Sequence, residues 1–352
     1  MCIAASRQPA DLDPMNRPLL IFDLEEVLLP RDCRLRAAVA AAGRYLEEVC
    51  CVMDGRRLVL PGLARRFVEE GGFDSGDDLA AGLVLFFLTA LGPTLRPPPA
   101  RVETAQEVRR AFGAKHLRYG ELMARQEFDP TDLLESALAR GGGFGGLLRS
   151  LRNDTLEGYI LRSGKLDDPD GGNLLRRYFL GAYLGPALFD EMVGGPPESL
   201  CGSGFIYEEA PLARPGRVAA LGDRASLALV TLRTALEARV ALEVLELTES
   251  FEVVVGCAGS QTPSDDHLSR SRLLRGAVEG HAQTGDPASE VVVLSADPMM
   301  LACAVEVGHK AVGFCRRREL RKKLTEAGAL AIIAHLETLE RVWASPVSAD
   351  TP

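Results

Sequence analysis

Polar, reactive side chains follow three apolar runs of this sequence, at the point where each run ends. Asp23 ends the run 18–23, Thr231 ends the run 226–231, and Ser295 ends the run 290–295. Short apolar runs bounded by turn residues are typical of buried parallel strands. Because ligands of open parallel sheets bind at the carboxyl ends of the strands, we expect these side chains to border one site.

The rest of the C-terminal half alternates strand-like and helix-like segments. The predicted strands are 18–23, 226–231, 251–256, 290–295, 311–315 and 329–334, and the predicted helices between them are 234–247, 268–281, 300–307 and 317–327. Strands that alternate with helices indicate βαβ units. The sequence therefore predicts an α/β fold with a doubly wound parallel sheet.

The alternation is interrupted after the first strand by a long, mainly helical stretch. Helices are predicted there at 35–52, 61–70, 77–91, 102–112, 117–127, 132–140 and 174–184. We expect a sheet core from residues 16–32 and 216–345, with a helical cap domain inserted at 33–215. Residues 1–15 are predicted to be a disordered lead-in and 346–352 a tail.

The first motif is Ile21-Phe-Asp-Leu-Glu-Glu-Val-Leu28. It resembles the Asp-x-Asp-Gly motif of the haloacid dehalogenase superfamily, which follows an apolar strand. The resemblance implies that Asp23 is the nucleophile that takes up a phosphoryl group and binds Mg²⁺. It also implies that Glu25 is the general acid and base, with its backbone carbonyl on the metal. Glu26 stands where the family has glycine.

Two further segments resemble the phosphate-binding motifs of that family. In Leu227-Ala-Leu-Val-Thr-Leu-Arg-Thr234, Thr231 would donate its hydroxyl to a phosphate oxygen, and Arg233 follows on the turn. In Thr262-Pro-Ser-Asp-Asp-His-Leu268, Thr262 stands at the phosphate-binding position where one branch of the family has lysine. The usual cation is therefore missing from this segment.

The fourth motif of the family supplies acidic metal ligands, and this chain departs from it. The matching segment is Ser295-Ala-Asp-Pro-Met-Met-Leu301. Ala296, Met300 and Leu301 replace the acids, and Asp297 is one residue out of register. Mg²⁺ requires hard oxygen ligands. The resemblance leaves Asp23, Glu25 and Asp297 as its candidate ligands, and the replacements argue against a normal metal site.

The inserted stretch also resembles the cap of one branch of the family. The matching segments are 69–78, 178–189 and 204–212. The resemblance covers most of residues 18–343 and is poorest at 93–150, which we interpret as additional cap sequence.

The resemblance implies an ancestral reaction, hydrolysis of a small phosphate ester through Asp23, that is weak or altered here. Removing one electrostatic donor from such a site costs on the order of 10²–10³ in rate. Asp265, Asp266 and Asp297 are candidates for a shifted metal site, and Arg233 or His267 for the missing positive charge. Two alternatives stay open: a catalytically inactive protein that binds a ligand or partner, and a metal-independent reaction through Asp23 or Glu25.

Composition limits the classes of partner. The net charge of −9 argues against a nucleic-acid binder. The eight cysteines are scattered without zinc-ligand spacing, and no apolar stretch is long enough to span a membrane. The first residues have no signal-peptide core. We therefore predict a cytoplasmic protein that binds a small, phosphorylated molecule.

Overall fold

The structure of the protein, a computed structural model, describes residues 17–50, 52, 55–73, 75–91, 129–151, 173–197, 202–257, 267–283, 288–316, 318–339 and 342. The strands of the sheet are β1 (Leu19–Asp23), β2 (Ser226–Thr234), β3 (Val253–Cys257), β4 (Val291–Ser295), β5 (Lys310–Phe314) and β6 (Ala331–Ile333). They are all parallel, in the order β3-β2-β1-β4-β5-β6. The predicted α/β fold with a doubly wound parallel sheet is confirmed.

Helices cover the sheet and form the long insertion after β1. Those of the insertion are α1 (Asp32–Arg44), α2 (Gly55–Leu58), α3 (Pro61–Gly71), α4 (Gly76–Leu91), α5 (Thr131–Ala139), α6 (Gly143–Leu151) and α7 (Leu174–Met192). Those that follow are α8 (Pro215–Gly222), α9 (Ala235–Val244), α10 (His267–Ala282), α11 (Pro298–Glu306) and α12 (Arg318–Glu326). Among the described residues, no helix is both long and apolar enough to cross a membrane.

The apolar run of β1 is continuous because both faces of the central strand are buried. Leu20 and Phe22 pack into one apolar cluster, and Leu19 and Ile21 pack into another on the opposite face. All five residues of β1 are buried. This double burial explains why the strand shows no alternation of polar and apolar residues.

The helices of the insertion bury a third apolar cluster of their own. Helix α9, which follows β2, joins this cluster through Val240, and Leu236 and Val244 pack against it. These three residues recur every four positions and so share one face of α9. The insertion is therefore in apolar contact with the sheet core. The predicted domain boundaries remain predictions.

Several element boundaries differ from those predicted. β2 continues three residues beyond its predicted end, to Thr234, and the first helix ends at Arg44, where Tyr45–Val49 form a π-helical turn. The helices predicted at 102–112 and 117–127 lie outside the described residues. Thr234 ends the strand because it also caps α9, since its hydroxyl accepts a hydrogen bond from the Glu237 amide at 3.2 Å.

Helix α7 is bent at Gly185, which has φ 74° and ψ 174° and precedes Pro186. A Cβ atom at Gly185 would lie 2.0 Å from the carbonyl oxygen of Ser203. Both the positive φ and this close approach of two backbones require glycine. The kink therefore fixes how the segment around Ser203 packs against α7.

We expect Gly185→Ala to lower the free energy of unfolding by about 3 kcal/mol or more, because it adds backbone strain to steric overlap. Gly62→Ala is the matched control, since a Cβ atom there meets nothing within 4 Å. It should leave stability unchanged or slightly higher. Urea unfolding of both variants checks the prediction, and similar unfolding midpoints would contradict it.

Candidate active site

The carboxyl ends of β1, β2 and β4 lie side by side, as predicted from the three polar strand ends. β1 lies between the other two strands, with Asp23 paired with Val230 and Phe22 paired with Leu294. Ser295 Oγ donates a hydrogen bond to Asp23 Oδ2 at 2.6 Å, and it accepts one from the Asp297 amide at 2.9 Å. The sequence placed Ser295 at this edge, but it gave no reason to expect a bond to Asp23.

Thr231 lies at the end of the neighbouring strand and is fully buried. Its Oγ1 accepts a hydrogen bond from the backbone amide of Arg233 at 3.0 Å. The hydroxyl thus stabilises the last residues of β2. Its predicted role as a phosphate donor stays a prediction.

Asp23 is almost completely buried. Burial raises its pKa from 3.8 to about 7, and the charges of Asp297 and Glu25 act in the same direction. The hydrogen bond from Ser295 and the charge of Arg31 oppose the rise. The protonated and ionised forms of Asp23 are therefore both populated near neutral pH.

Glu25 is bound by Arg233, which lies in β2 rather than on the turn predicted after it. Arg233 Nε donates to Glu25 Oε1 at 2.6 Å, and the arginine side chain has no exposed surface. Burial opposes the charge of Glu25, but the charge and the hydrogen bond of Arg233 prevail and hold its pKa below the usual value. Glu25 is thus kept ionised.

The same guanidinium also binds residues from the end of the helical insertion. Arg233 Nη1 donates to both carboxylate oxygens of Glu209 at 2.8 Å, and it donates to the hydroxyl of Tyr183 in α7. The Tyr183 hydroxyl donates to Glu209 Oε1 at 3.0 Å. Burial raises the pKa of Glu209 above its usual value despite Arg233. One arginine therefore joins the turn after β1, β2, α7 and the segment that returns from the insertion.

A second arginine, Arg34 of α1, lies beside this group. Its guanidinium carbon is 5.4 Å from the centroid of the Tyr183 ring, and that of Arg233 is 5.7 Å from the same centroid. Among the described residues, Arg34 Nε, Arg233 Nη2 and Glu25 Oε2 are buried without a hydrogen-bond partner. Such groups can be satisfied by ordered water.

Asp297 is also engaged. Its carboxylate pairs with Arg270 of α10, and Oδ1 accepts a hydrogen bond from the Met299 amide at 2.9 Å as the cap of α11. Met300 and Leu301 are buried in the apolar cluster under the sheet. The residues of the fourth motif therefore serve as a helix cap and as core.

The donor atoms present do not fit a Mg²⁺ ion well. Of the three candidate ligands, the side chain of Glu25 is bound by Arg233 and that of Asp297 by Arg270. No group of three His, Cys, Asp or Glu side chains placed to hold a metal is found in the described ranges. Mg²⁺ prefers several oxygen ligands that are free to face it. We therefore derive no step through a metal.

The remaining candidates fall outside the described residues or away from Asp23. Thr262, Asp265 and Asp266 lie outside the described residues. His267 begins α10 and pairs through Nε2 with Glu306 Oε2 at 2.8 Å, with both side chains largely exposed. This contact holds the His267 side chain at the surface, against Glu306.

Glu26 occupies the position at which the motif normally has glycine, and its φ is 60°. A non-glycine residue in this region costs about 1 kcal/mol or more. The Glu26 carboxylate accepts a hydrogen bond from the Arg31 amide at 3.0 Å, and the Glu26 amide donates to the Leu29 carbonyl at 2.6 Å. These bonds hold the turn that carries Glu25.

We expect Asp23→Asn to be more stable than the natural protein above pH 7. The unfolded carboxyl ionises near 3.8 and the folded one near 7, so the folded state binds more protons between these values and stability falls as the pH rises through this window. Asparagine lacks this loss and can still accept the bond from Ser295. The stability difference should grow by about 2 kcal/mol between pH 5 and pH 7.5, as measured by chemical unfolding. Parallel stability curves for the two proteins would contradict the buried position of Asp23.

We expect Arg233→Met to lower the free energy of unfolding by about 3–5 kcal/mol, because it leaves two buried carboxylates without their partner. Arg239→Met is the matched control. Arg239 pairs with Glu191 at 3.0 Å, and both side chains are 55% exposed, so its loss should cost no more than about 1 kcal/mol. Equal losses in urea unfolding would show that the burial of Arg233 adds nothing.

Comparison with known proteins gives matches of structure alone. No protein-family model matches the chain, and no curated protein matches it. An X-ray structure from the Northeast Structural Genomics Consortium is 16% identical, over 93% of this chain and 98% of that chain, with a TM-score of 0.62. At this identity, the likeness shows the fold and not the activity.

Haloacid dehalogenase-like proteins are among the weaker matches. A hydrolase of that family from Streptococcus pneumoniae is 10% identical over 93% of this chain and 98% of its own, with a TM-score of 0.43. A phosphatase from Thermococcus thioreducens is 17% identical over 87% of this chain and 99% of its own, also with a TM-score of 0.43. Scores this low carry no argument by themselves. The parallel sheet, the helical insertion directly after β1 and the position of Asp23 at the end of β1 agree with the fold that the resemblance to the haloacid dehalogenase superfamily implies.

Proposed function

We propose that this protein is a haloacid dehalogenase-like hydrolase in which phosphate-ester hydrolysis through Asp23 is weak or altered. The ligand of this proposal is a small phosphorylated molecule, as the family resemblance implies. The observation that carries the proposal is the ion pair between Arg233 and Glu25 at 2.6 Å.

The reaction needs a carboxylate that attacks phosphorus and an acid that protonates the leaving oxygen. Asp23 would form the new bond to phosphorus while the bond from phosphorus to the leaving oxygen breaks. Glu25 would be the residue that gives that oxygen a proton, as the resemblance implies. Because Arg233 holds the pKa of Glu25 below its usual value, Glu25 has no proton to give near neutral pH.

The charge around Asp23 also disfavours a bound phosphate. Glu25 and Asp297 both raise the pKa of Asp23, so its nearest charged neighbours include carboxylates. The arginines nearest to these carboxylates, Arg233 and Arg270, are already paired with them. Preorganised positive charge is usually the largest contribution to this kind of catalysis. Because Arg233 and Arg270 are used in ion pairs within the protein, less positive charge is left for a phosphate, and this supports slow turnover.

A catalytically inactive protein that binds a ligand or a partner is the second candidate. It is favoured by the fourth motif, in which Met300 and Leu301 are core residues and Asp297 is a helix cap. A metal-independent reaction through Asp23 or Glu25 is the third, since Ser295 and Arg233 each hold one of these side chains in a fixed position.

Hydrolysis of p-nitrophenyl phosphate tests the proposal. We expect slow turnover that is reduced at least about tenfold in Asp23→Asn and that changes little when Mg²⁺ is replaced by a chelator. Arg239→Met, which changes an exposed pair away from Asp23, is the control and should retain the activity. A variant that is less stable contains less folded enzyme, so the rate of each protein is divided by its folded fraction.

The other outcomes separate the candidates. Rapid hydrolysis that depends on Mg²⁺ would overturn the proposal. No hydrolysis that depends on Asp23, together with a rise in Tm on adding phosphate, would support the ligand-binding protein. Conversion of a phosphate-free substrate that survives the chelator and is lost in Asp23→Asn would support the metal-independent reaction.

A further inference from the structure

Positive charge is concentrated in one short segment of this acidic protein. Residues 316–326 contain six Lys and Arg and two Glu, which gives this segment a net charge of +4. Because the net charge of the whole chain is −9, the remaining residues together carry −13. The described part of this segment is Arg316 and helix α12. Charge of opposite sign to the rest of a protein attracts acidic partners to that place.

The helix presents its charges to solvent. Leu324 is buried and Leu320 packs against the apolar cluster of the sheet, so this face of α12 is the internal one. The exposed basic residues of the helix are Arg318, Arg321, Lys322 and Lys323. Among them, Lys322 forms an ion pair with a described residue, Glu326, at 3.7 Å. Both members of that pair are largely exposed, and such pairs contribute little. Most of the positive charge is therefore available to a partner.

Apolar side chains lie beside the C-terminal end of α12. Val305, Val307 and Leu330 are 43%, 55% and 60% exposed. Val305 adjoins the segment that follows α12, because a Cβ atom at Gly328 would lie 3.0 Å from Val305 Cγ2, and Val307 and Leu330 are each two residues from one member of this contact. A surface that joins exposed apolar side chains to a charged strip is typical of protein interaction sites.

We propose that α12 and these three apolar residues form a docking surface for an acidic segment of a partner protein. Helix α12 is nine residues long, which corresponds to about 13 Å. The segment that fits it carries several Glu or Asp side chains opposite α12 and one or more large apolar side chains opposite Val305, Val307 and Leu330. The surface lies outside the Asp23 site and does not depend on the function proposed for that site.

Other polyanions fit this surface less well. Single-stranded nucleic acids bind through stacking on aromatic rings as well as through charge, and residues 316–330 contain no aromatic residue. The charge of −13 on the rest of the chain would also repel a long polyanion. A helix that lies in a membrane surface buries its apolar face in lipid, whereas Leu320 and Leu324 face the sheet.

Binding of a fluorescein-labelled peptide, (Glu-Glu-Leu)₄, to the full chain tests the proposal by fluorescence anisotropy. We expect saturable binding that weakens at least about tenfold in the double variant Arg318→Glu/Arg321→Glu. The matched control is Arg272→Glu/Arg275→Glu, which reverses two exposed arginines, also three residues apart, on α10. It gives the same net charge and should weaken binding less than about twofold.

A further variant and a further peptide test the apolar and the charged contributions to binding separately. Leu330→Ser should weaken binding of the same peptide about threefold or more, and a peptide with Gln in place of Glu should not bind the natural protein. Absence of saturable binding, equal weakening by the two double variants, or tighter binding to an oligonucleotide of equal charge or to phosphatidylserine vesicles would overturn the proposal. So would a concentration-dependent dimer abolished by Arg318→Glu/Arg321→Glu, because the partner would then be a second copy of this chain.

Discussion

The buried guanidinium of Arg233 is the interaction on which the arrangement of this site depends. It has no exposed surface and donates to Glu25, to Glu209 and to the hydroxyl of Tyr183. A charge taken out of water is tolerated only when close partners replace its hydration. The carboxylates of Glu25 and Glu209 do this for Arg233, and each of them in turn needs the arginine.

Positive charge at the carboxyl edge of the sheet is thus used internally. Arg233 is shared by Glu25 and Glu209, and Arg270 is paired with Asp297. Asp23 receives a neutral hydrogen bond from Ser295 instead. Burial accounts for the raised pKa of Asp23, and the hydrogen bond from Ser295 and the charge of Arg31 offset it only in part. The same distribution of charge underlies both the fixed position of Asp23 and the weak reaction proposed for it.

Much of the fold could be predicted from the sequence, because double burial of the parallel strands leaves continuous apolar runs. Those runs located β1, β2 and β4 and brought Asp23, Thr231 and Ser295 to one edge. The predicted end of β2 was too early, since the polar residues Thr231 and Arg233 interrupt the apolar run. The strand continues there because the partners of Arg233 are supplied by distant segments.

Glu209 and Tyr183 had no signal in the sequence that linked them to this site. They are 24 and 50 residues from Arg233, and they lie in segments that resembled the family's cap rather than its site motifs. Contacts between residues so far apart in sequence form only when the chain folds. Sequence reasoning did identify Glu25 and Arg233, but it assigned both to a ligand rather than to each other.

The stripe of Leu236, Val240 and Val244 on α9 belongs to the apolar cluster of the insertion, although α9 follows a strand of the sheet. The first turn of α9 is capped by Thr234, the last residue of β2, so the helix start and the strand end are held together. The boundary between the insertion and the core along the sequence therefore does not divide the apolar packing into two separate parts. Loss of the inserted helices would expose the apolar face of α9, the helix that Thr234 at the end of β2 caps, so we expect the insertion and the sheet core to unfold together.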